Sequence, residues 1–173
     1  MKRRQMESLL CCALLLFGGA NLIGDESSDH HLQTNVIAPL FGEVSAEYVR
    51  HFGSGWGMVG RIWYWNHSEG QWSWKAYSFG TSLRRSLSSD MHGFFVGLGL
   101  DIPYVVAERS GVSANSWLVT PTLELGYHWQ LGSLDIQPLV ALEYTFGDFK
   151  ISGDSFPHLG IGPNVVLGFG IQL

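Results

Sequence analysis

Apolar and polar residues alternate with period two along this chain, and after Ala20 no helical periodicity competes. The last segment is the clearest. Leu159, Ile161, Pro163, Val165, Leu167, Phe169, Ile171 and Leu173 share one face, and Gly160, Gly162, Asn164, Val166, Gly168, Gly170 and Gln172 share the other. The same pattern runs from Leu134 to Gly147, from Trp117 to Trp129 and from Phe94 to Ile102. It is weaker over 76–84, 58–65, 44–49 and 32–38, where Leu32, Thr34, Val36 and Ala38 alternate with Gln33, Asn35 and Ile37. Eight strands are therefore expected.

The connections alternate as well. Phe52–Gly55, Ser88–His92 and Gln130–Ser133 are short and rich in Gly and Ser, whereas Asn66–Gln71, Glu108–Asn115 and Asp148–Phe156 are longer and polar. Short turns at one end and longer loops at the other are the pattern of an outer-membrane barrel. The first connection, around Phe41–Glu43, is short on the long-loop side and departs from it.

Ahead of the strands lies a segment of another kind. Lys2, Arg3 and Arg4 form a basic start, Leu9 to Phe17 an apolar run, and Gly18 and Ala20 the small residues of a peptidase site. This predicts a signal peptide over 1–20 and a barrel domain over 21–173. The apolar run is shorter than the roughly 20 residues of a spanning helix. Cys11 and Cys12 lie within it, so acylation as a lipoprotein is not favoured and the mature chain holds no cysteine. That suits passage through an oxidising compartment.

Charge sharpens the picture. Taking Lys2, Arg3, Arg4 and Glu7 from 10 basic and 15 acidic residues leaves 7 against 14, with no basic cluster, so nucleic acid is not expected as a partner. Only 14% of the chain is charged, against about 25% in soluble domains. The polar faces carry Gly, Ala, Ser and Thr with isolated charges, which is what the inside of a narrow barrel accommodates. The bulky apolar faces then meet lipid. Hydrocarbon offers no hydrogen-bond partners, so the sheet must close. The expected fold is a closed antiparallel eight-stranded transmembrane β-barrel. Trp56, Tyr64, Tyr77, Trp117, Tyr127, Trp129, Tyr144 and Phe146 are placed to form interfacial girdles. Pro121 and Pro138 each cost a ladder bond, so bulges or a place near the membrane rim are expected for them.

Glu47, Arg61, Arg84, Asp101, Glu124 and Glu143 fall on the inward face. Buried charges need partners, so the arginines are expected to pair with carboxylates across the lumen. His128, His51 or water would balance the surplus acid, and His128 completes the expected polar network. His30 and His31, just before the first strand, are expected to be solvated. No metal or cofactor motif is present.

With these features the chain resembles the small eight-stranded outer-membrane barrels as a group. The group includes the barrel domain of outer-membrane protein A and the lipid A acyl-modifying enzymes. The resemblance covers roughly Asp29 to Leu173 and rests on pattern. Val165, Leu167, Phe169, Ile171 and Leu173 resemble the C-terminal signal read by the barrel-assembly machinery, with Leu173 standing where Phe is usual. The resemblance implies a bacterial outer-membrane location, with outer-membrane lipids as neighbours. The lipid A 3-O-deacylases place a His and a Ser two apart on one strand, and no strand here has that spacing. The palmitoyltransferases use a loop His, Asp and Ser. His67 with Ser68, and His158 with Asp154 and Ser155, have that composition. Three readings follow: a non-enzymatic barrel with a structural, adhesion or surface-interaction role; an enzyme acting on lipid A or phospholipid acyl chains; and a soluble periplasmic barrel holding an apolar ligand. The third requires Leu98, Leu123, Leu142 and Leu167 inside.

Overall fold

Alternation becomes structure through pairing. The computed structural model describes residues 30–52, 55–88, 92–151, 154–157 and 160–173, and the expected signal peptide lies outside them. The strands are β1 His30–Asn35, β2 Glu43–Phe52, β3 Trp56–Glu69, β4 Trp72–Ser86, β5 Gly93–Arg109, β6 Val112–Trp117, β7 Thr120–Leu131, β8 Leu134–Thr145, β9 Asp148–Ile151, β10 Asp154–Pro157 and β11 Gly160–Gln172. Each main strand pairs antiparallel with its neighbour in the chain. β11 pairs with β1, and β4 with β5, so the ring closes. β6 and β7 both pair with β5 in a single register, with Tyr104 opposite Trp117 and Gly93 opposite His128. They are two halves of one stave, which makes the barrel eight-stranded. β9 and β10 form a separate hairpin.

Prolines account for the lapses in pairing. Leu118 N–H donates to the Pro103 carbonyl at 2.8 Å, but proline has no N–H to return. The β5 ladder breaks there, and Val119 instead exchanges two bonds with Phe146. The β7–β8 ladder stops at Gly126 opposite Leu139 and resumes at Trp129 opposite Ile136. The lapse holds Pro138. Another lapse, between the Val119–Phe146 bridge and Thr122 opposite Glu143, holds Pro121. The register is the same on both sides of each gap. The bulges expected at Pro121 and Pro138 are therefore not there, because no extra residue is inserted.

The connections also differ from expectation. Asn66–Gln71 and Glu108–Asn115 are not loops, because β3–β4 and β5–β6 continue as hairpins to two-residue turns at Gly70–Gln71 and Ser110–Gly111. Ser110 and Gly111 have φ of 49° and 81°, the backbone of a twist-matched hairpin turn. Most of Asp148–Phe156 is the β9–β10 hairpin. β1, expected to reach Ala38, ends at Asn35. There the Asn35 Oδ1 accepts from the backbone N–H of Ile37 and of Leu167, at 3.2 and 3.1 Å. Pro39 then opens a 3-10 turn over Ala38–Phe41.

Outward residues are apolar and exposed. Leu98 is 69% exposed, Leu123 53% and Leu142 52%, and Leu167 is partly exposed. The arrangement needed for an apolar interior ligand is thereby overturned. The interior is mostly polar, with small apolar clusters at Phe95–Leu139–Ala141 and Ala76–Val105–Ala107–Leu118. Gly126 shows how tight the first cluster is. A Cβ there would stand 2.8 Å from Leu139 Cβ and collide with the Phe95 ring.

Candidate functional site

The lumen is built in tiers. At the end where the described chain begins and finishes, β1, β2, β7 and β8 bring together His31, His51, His128 and Asp135. Asp135 accepts from His128 Nε2 at 2.6 Å and contacts His31 Nδ1 through its other oxygen. The His31 and His51 rings meet edge-on at 5.0 Å, and His51 stacks on His128 at 5.6 Å. The expectation of a solvated His30–His31 pair is corrected here. His31 is buried, and His30 hydrogen-bonds to the Tyr48 hydroxyl. Extending the β1 alternation inward from Gln33 by two residues gives the signal for His31. His128 does not supply the positive charge expected beside the surplus acids of the arginine cluster, since its ring is turned to Asp135.

The next tier holds the charges. Arg84 Nε donates to Glu124 at 2.6 Å, its Nη1 to Gln137 at 2.6 Å and its Nη2 to Glu47 at 3.3 Å. Arg61 bonds the other Glu124 oxygen and lies 3.7 Å from Asp101 and 3.9 Å from Glu47. Gln33 donates to both Glu47 and Gln137. Glycines on intervening strands make these meetings possible. In register, Gly97 of β5 lies between Arg84 of β4 and Glu124 of β7. A Cβ on Gly97 would stand 2.9 Å from Glu124 Oε2 and 3.1 Å from Arg84 Cγ. Gly80 likewise lies between Arg61 and Asp101, and the Asp101 carboxylate occupies the space its side chain would need.

Above this tier, on the side of the β3–β4 and β5–β6 hairpins, the lumen opens into a cavity of about 470 Å³. Glu47, Arg61 and Asp101 are among its lining residues, and Glu43 and Glu143 line it too. Glu143 shares that lining with Arg61, but its hydrogen bond goes elsewhere. It is partly buried and accepts from Asn164 Nδ2 at 2.8 Å. Trp63, Trp65 and Trp74 line the aromatic side, and Trp65 Nε1 donates to the Phe41 carbonyl at 3.1 Å. These tryptophans and Glu43 were not singled out by sequence. Alternation put Trp63 and Trp65 on the Arg61 face, but it gave no sign that three indoles converge.

The two His–Ser groups fare differently. His67 and Ser68 are consecutive in β3, so their side chains point to opposite faces. The His67 ring stacks on Trp65 at 5.6 Å. Asp154 and Ser155 lie in β10, and His158 is outside the described residues. Among the described residues, no cluster of three or more His, Cys, Asp or Glu is arranged to hold a metal ion.

No family model matches the chain, and no curated protein matches it by sequence. Among solved structures it is similar to the crystal structure of Neisserial surface protein A, at a TM-score of 0.55 and 10% identity. The match covers 84% of this chain and 93% of that one. At such identity the likeness is one of fold: the chain is an all-β, closed, antiparallel eight-stranded barrel that resembles the small outer-membrane barrels.

Proposed function

We propose that the protein is exported to the bacterial outer membrane and crosses it as this barrel, as a non-enzymatic component whose extended hairpins meet partners at the cell surface. The carrying observation is the outward face. Four neighbouring strands put Tyr64, Tyr77, Tyr104 and Trp117 in one continuous register row. Near the opposite end, Phe94 packs on Tyr127 and Tyr127 on Trp129. Between these two aromatic levels β5 turns Val96, Leu98 and Leu100 outward, all exposed. From Phe94 to Tyr104 the strand runs about 33 Å. At a tilt of about 40° that is a height of about 25 Å, the thickness of the apolar band of an outer-membrane barrel. In water such a face would be an aggregation surface.

Outer-membrane lipids would contact this band, and the barrel-assembly machinery would insert the chain. β11, with Phe169, Ile171 and Leu173 turned outward, is suited to that recognition. The fold similarity to a Neisserial surface protein supports a surface location. Fractionation of expressing cells tests the reading, followed by gel migration of the outer-membrane fraction with and without boiling. An outer-membrane band that shifts on heating is expected. A soluble periplasmic band with no shift would overturn the proposal.

A further inference from the structure

The cavity above the charged tier has two unlike walls. Above Arg61 and Asp101, β3, β4 and β5 line it with Trp63, Trp65, Trp74, Ala76, Pro103 and Val105. On β8, β11 and β2 the lining carries Thr145, Glu143, Asn164, Ser45 and Glu43. Closure sets the first wall against the second. In a ring of eight staves those four apart face one another, so β3 faces β8. Register then gives the height. From Glu47 the pairing row runs one way through Arg61, Gly80 and Asp101 to Thr120, and the other way through Gln33, Gly170 and Asp135 to Gln130. These ends lie ten residues apart on β7, so a row climbs five residues toward the long hairpins over four staves. The row from Arg61 continues from Thr120 to Thr145 of β8, where the two hydroxyls meet at 3.0 Å. With that climb, Glu143 stands level with the stretch between Trp63 and Trp65. The Trp65 indole is held by its N–H bond to Phe41. Glu143 gives one oxygen to Asn164, and Glu43 accepts no hydrogen bond from a described residue.

An occupant of this space meets indoles on one side and hydrogen-bond acceptors on the other. It needs a flat apolar face and an edge of donors. Indole faces are electronegative, and the C–H hydrogens on the face of a sugar ring are weakly positive. Hydroxyls that donate to carboxylates make charge-assisted bonds. An alkyl chain would leave the acids desolvated without donors, and an anion would be repelled by them. The volume of about 470 Å³ lies within the range of small-ligand sites. We propose that the cavity binds an uncharged pyranoside, with a C–H face on Trp63 and Trp65 and hydroxyls donating to Glu143 and Glu43. The inference goes beyond the membrane reading and stands on the barrel interior alone.

The test uses the full mature chain refolded in a polyoxyethylene detergent, since glucoside and maltoside detergents carry the competing ring. The methyl β-pyranosides of glucose, galactose and N-acetylglucosamine are titrated against tryptophan fluorescence, with lactose as a chain end. Saturation-transfer NMR reads which sugar protons touch the protein, and heat-modifiable gel migration confirms that each sample is folded. At least one of the four is expected to bind saturably, with the axial protons of one ring face receiving most saturation. Lactose binding more tightly than methyl galactoside would assign the site to a glycan end, and equal binding to a free sugar. Methyl glucuronide, sorbitol and butylamine are each expected to bind at least tenfold more weakly, for want of neutrality, of a ring face and of hydroxyls. Glu43→Ala is expected to weaken the pyranoside about tenfold, the effect of losing one charged hydrogen bond. Trp63→Leu, which leaves every carboxylate in place, is expected to weaken it several-fold. The proposal is overturned if folded wild-type protein binds none of the four sugars, or if sorbitol or butylamine binds as tightly as they do. It also fails if folded Glu43→Ala and Trp63→Leu bind as wild type. None of these failures would touch the outer-membrane reading, which fractionation decides separately.

Discussion

Replacing Glu124 by alanine removes the carboxylate that both lumen arginines share. Glu124 has no exposed surface. It accepts from Arg84 Nε at 2.6 Å, from Arg61 Nη2 and from Ser82 Oγ at 3.3 Å. At an effective dielectric of about 20, one ion pair at about 4 Å contributes ~4 kcal/mol, so two contribute ~8. Desolvation opposes this by several kcal/mol per ion, and the net worth of the intact cluster is small. Removal is not symmetrical with formation, because the arginines stay buried. Breaking such a pair costs about 3–5 kcal/mol. Formal charge argues the other way, since Glu47, Asp101 and Glu124 outnumber Arg61 and Arg84 and losing one acid balances the set. Geometry decides between them. Glu47 and Asp101 approach Arg61 no closer than 3.9 and 3.7 Å, too far to replace the bond it loses. Glu124→Ala is therefore expected to lose about 3–5 kcal/mol, and Glu124→Gln, which keeps one acceptor, about half that. Urea unfolding from phospholipid vesicles, followed by tryptophan fluorescence, measures both. Arg84→Met combined with Glu124→Ala should cost about 2 kcal/mol less than the sum of the single changes. A loss under about 1 kcal/mol for Glu124→Ala, or strict additivity in the double variant, would refute the reasoning.

Gly97→Ala drives a methyl group between Arg84 and Glu124, so a loss of about 1–3 kcal/mol is expected in the same assay. That loss should shrink when Glu124 is already alanine, and an equal loss in both backgrounds would show that the crowding lies elsewhere. On the outer face the cost should depend on depth. Leu98→Arg, at the middle of the band, is expected to destabilise the vesicle-inserted barrel by about 2–4 kcal/mol and Leu131→Arg, at a strand end, by about 0–1. Equal costs at the two positions would contradict the placement of the band.

Much of the barrel was legible because alternation is local. A period of two fixes which face each residue joins, and the outward Leu98, Leu123 and Leu142 needed nothing more. Strand ends were read less well. Polar Asn66–Gln71 looked like a loop, yet backbone pairing continues through it to the turn. Strands that leave the apolar band no longer need alternating side chains, so the signal fades before the strand does. Asn35 shows the converse: Val36 and Ala38 keep the pattern after pairing with β2 has stopped, because Pro39 imposes a turn that hydropathy does not register.

The site was harder to read for a different reason. Alternation assigns a face but not a height in the barrel, and height depends on the register between strands distant in sequence. That is why His128 went with the arginines in the sequence reading and with Asp135 in the structure. It is also why Trp63, Trp65 and Trp74 gave no hint of converging. One device does join the two levels. Arg84, Gly97 and Glu124 lie side by side on three adjacent strands, as do Arg61, Gly80 and Asp101. A long charged side chain can cross an intervening strand only where that strand presents no Cβ. Glycine on a lumen face thus acts as a bridge between the residues flanking it. At Gly80 and Gly97 the flanking residues are an arginine and an acid, which makes both glycines as much a part of the charged tier as the arginines they separate from their acids.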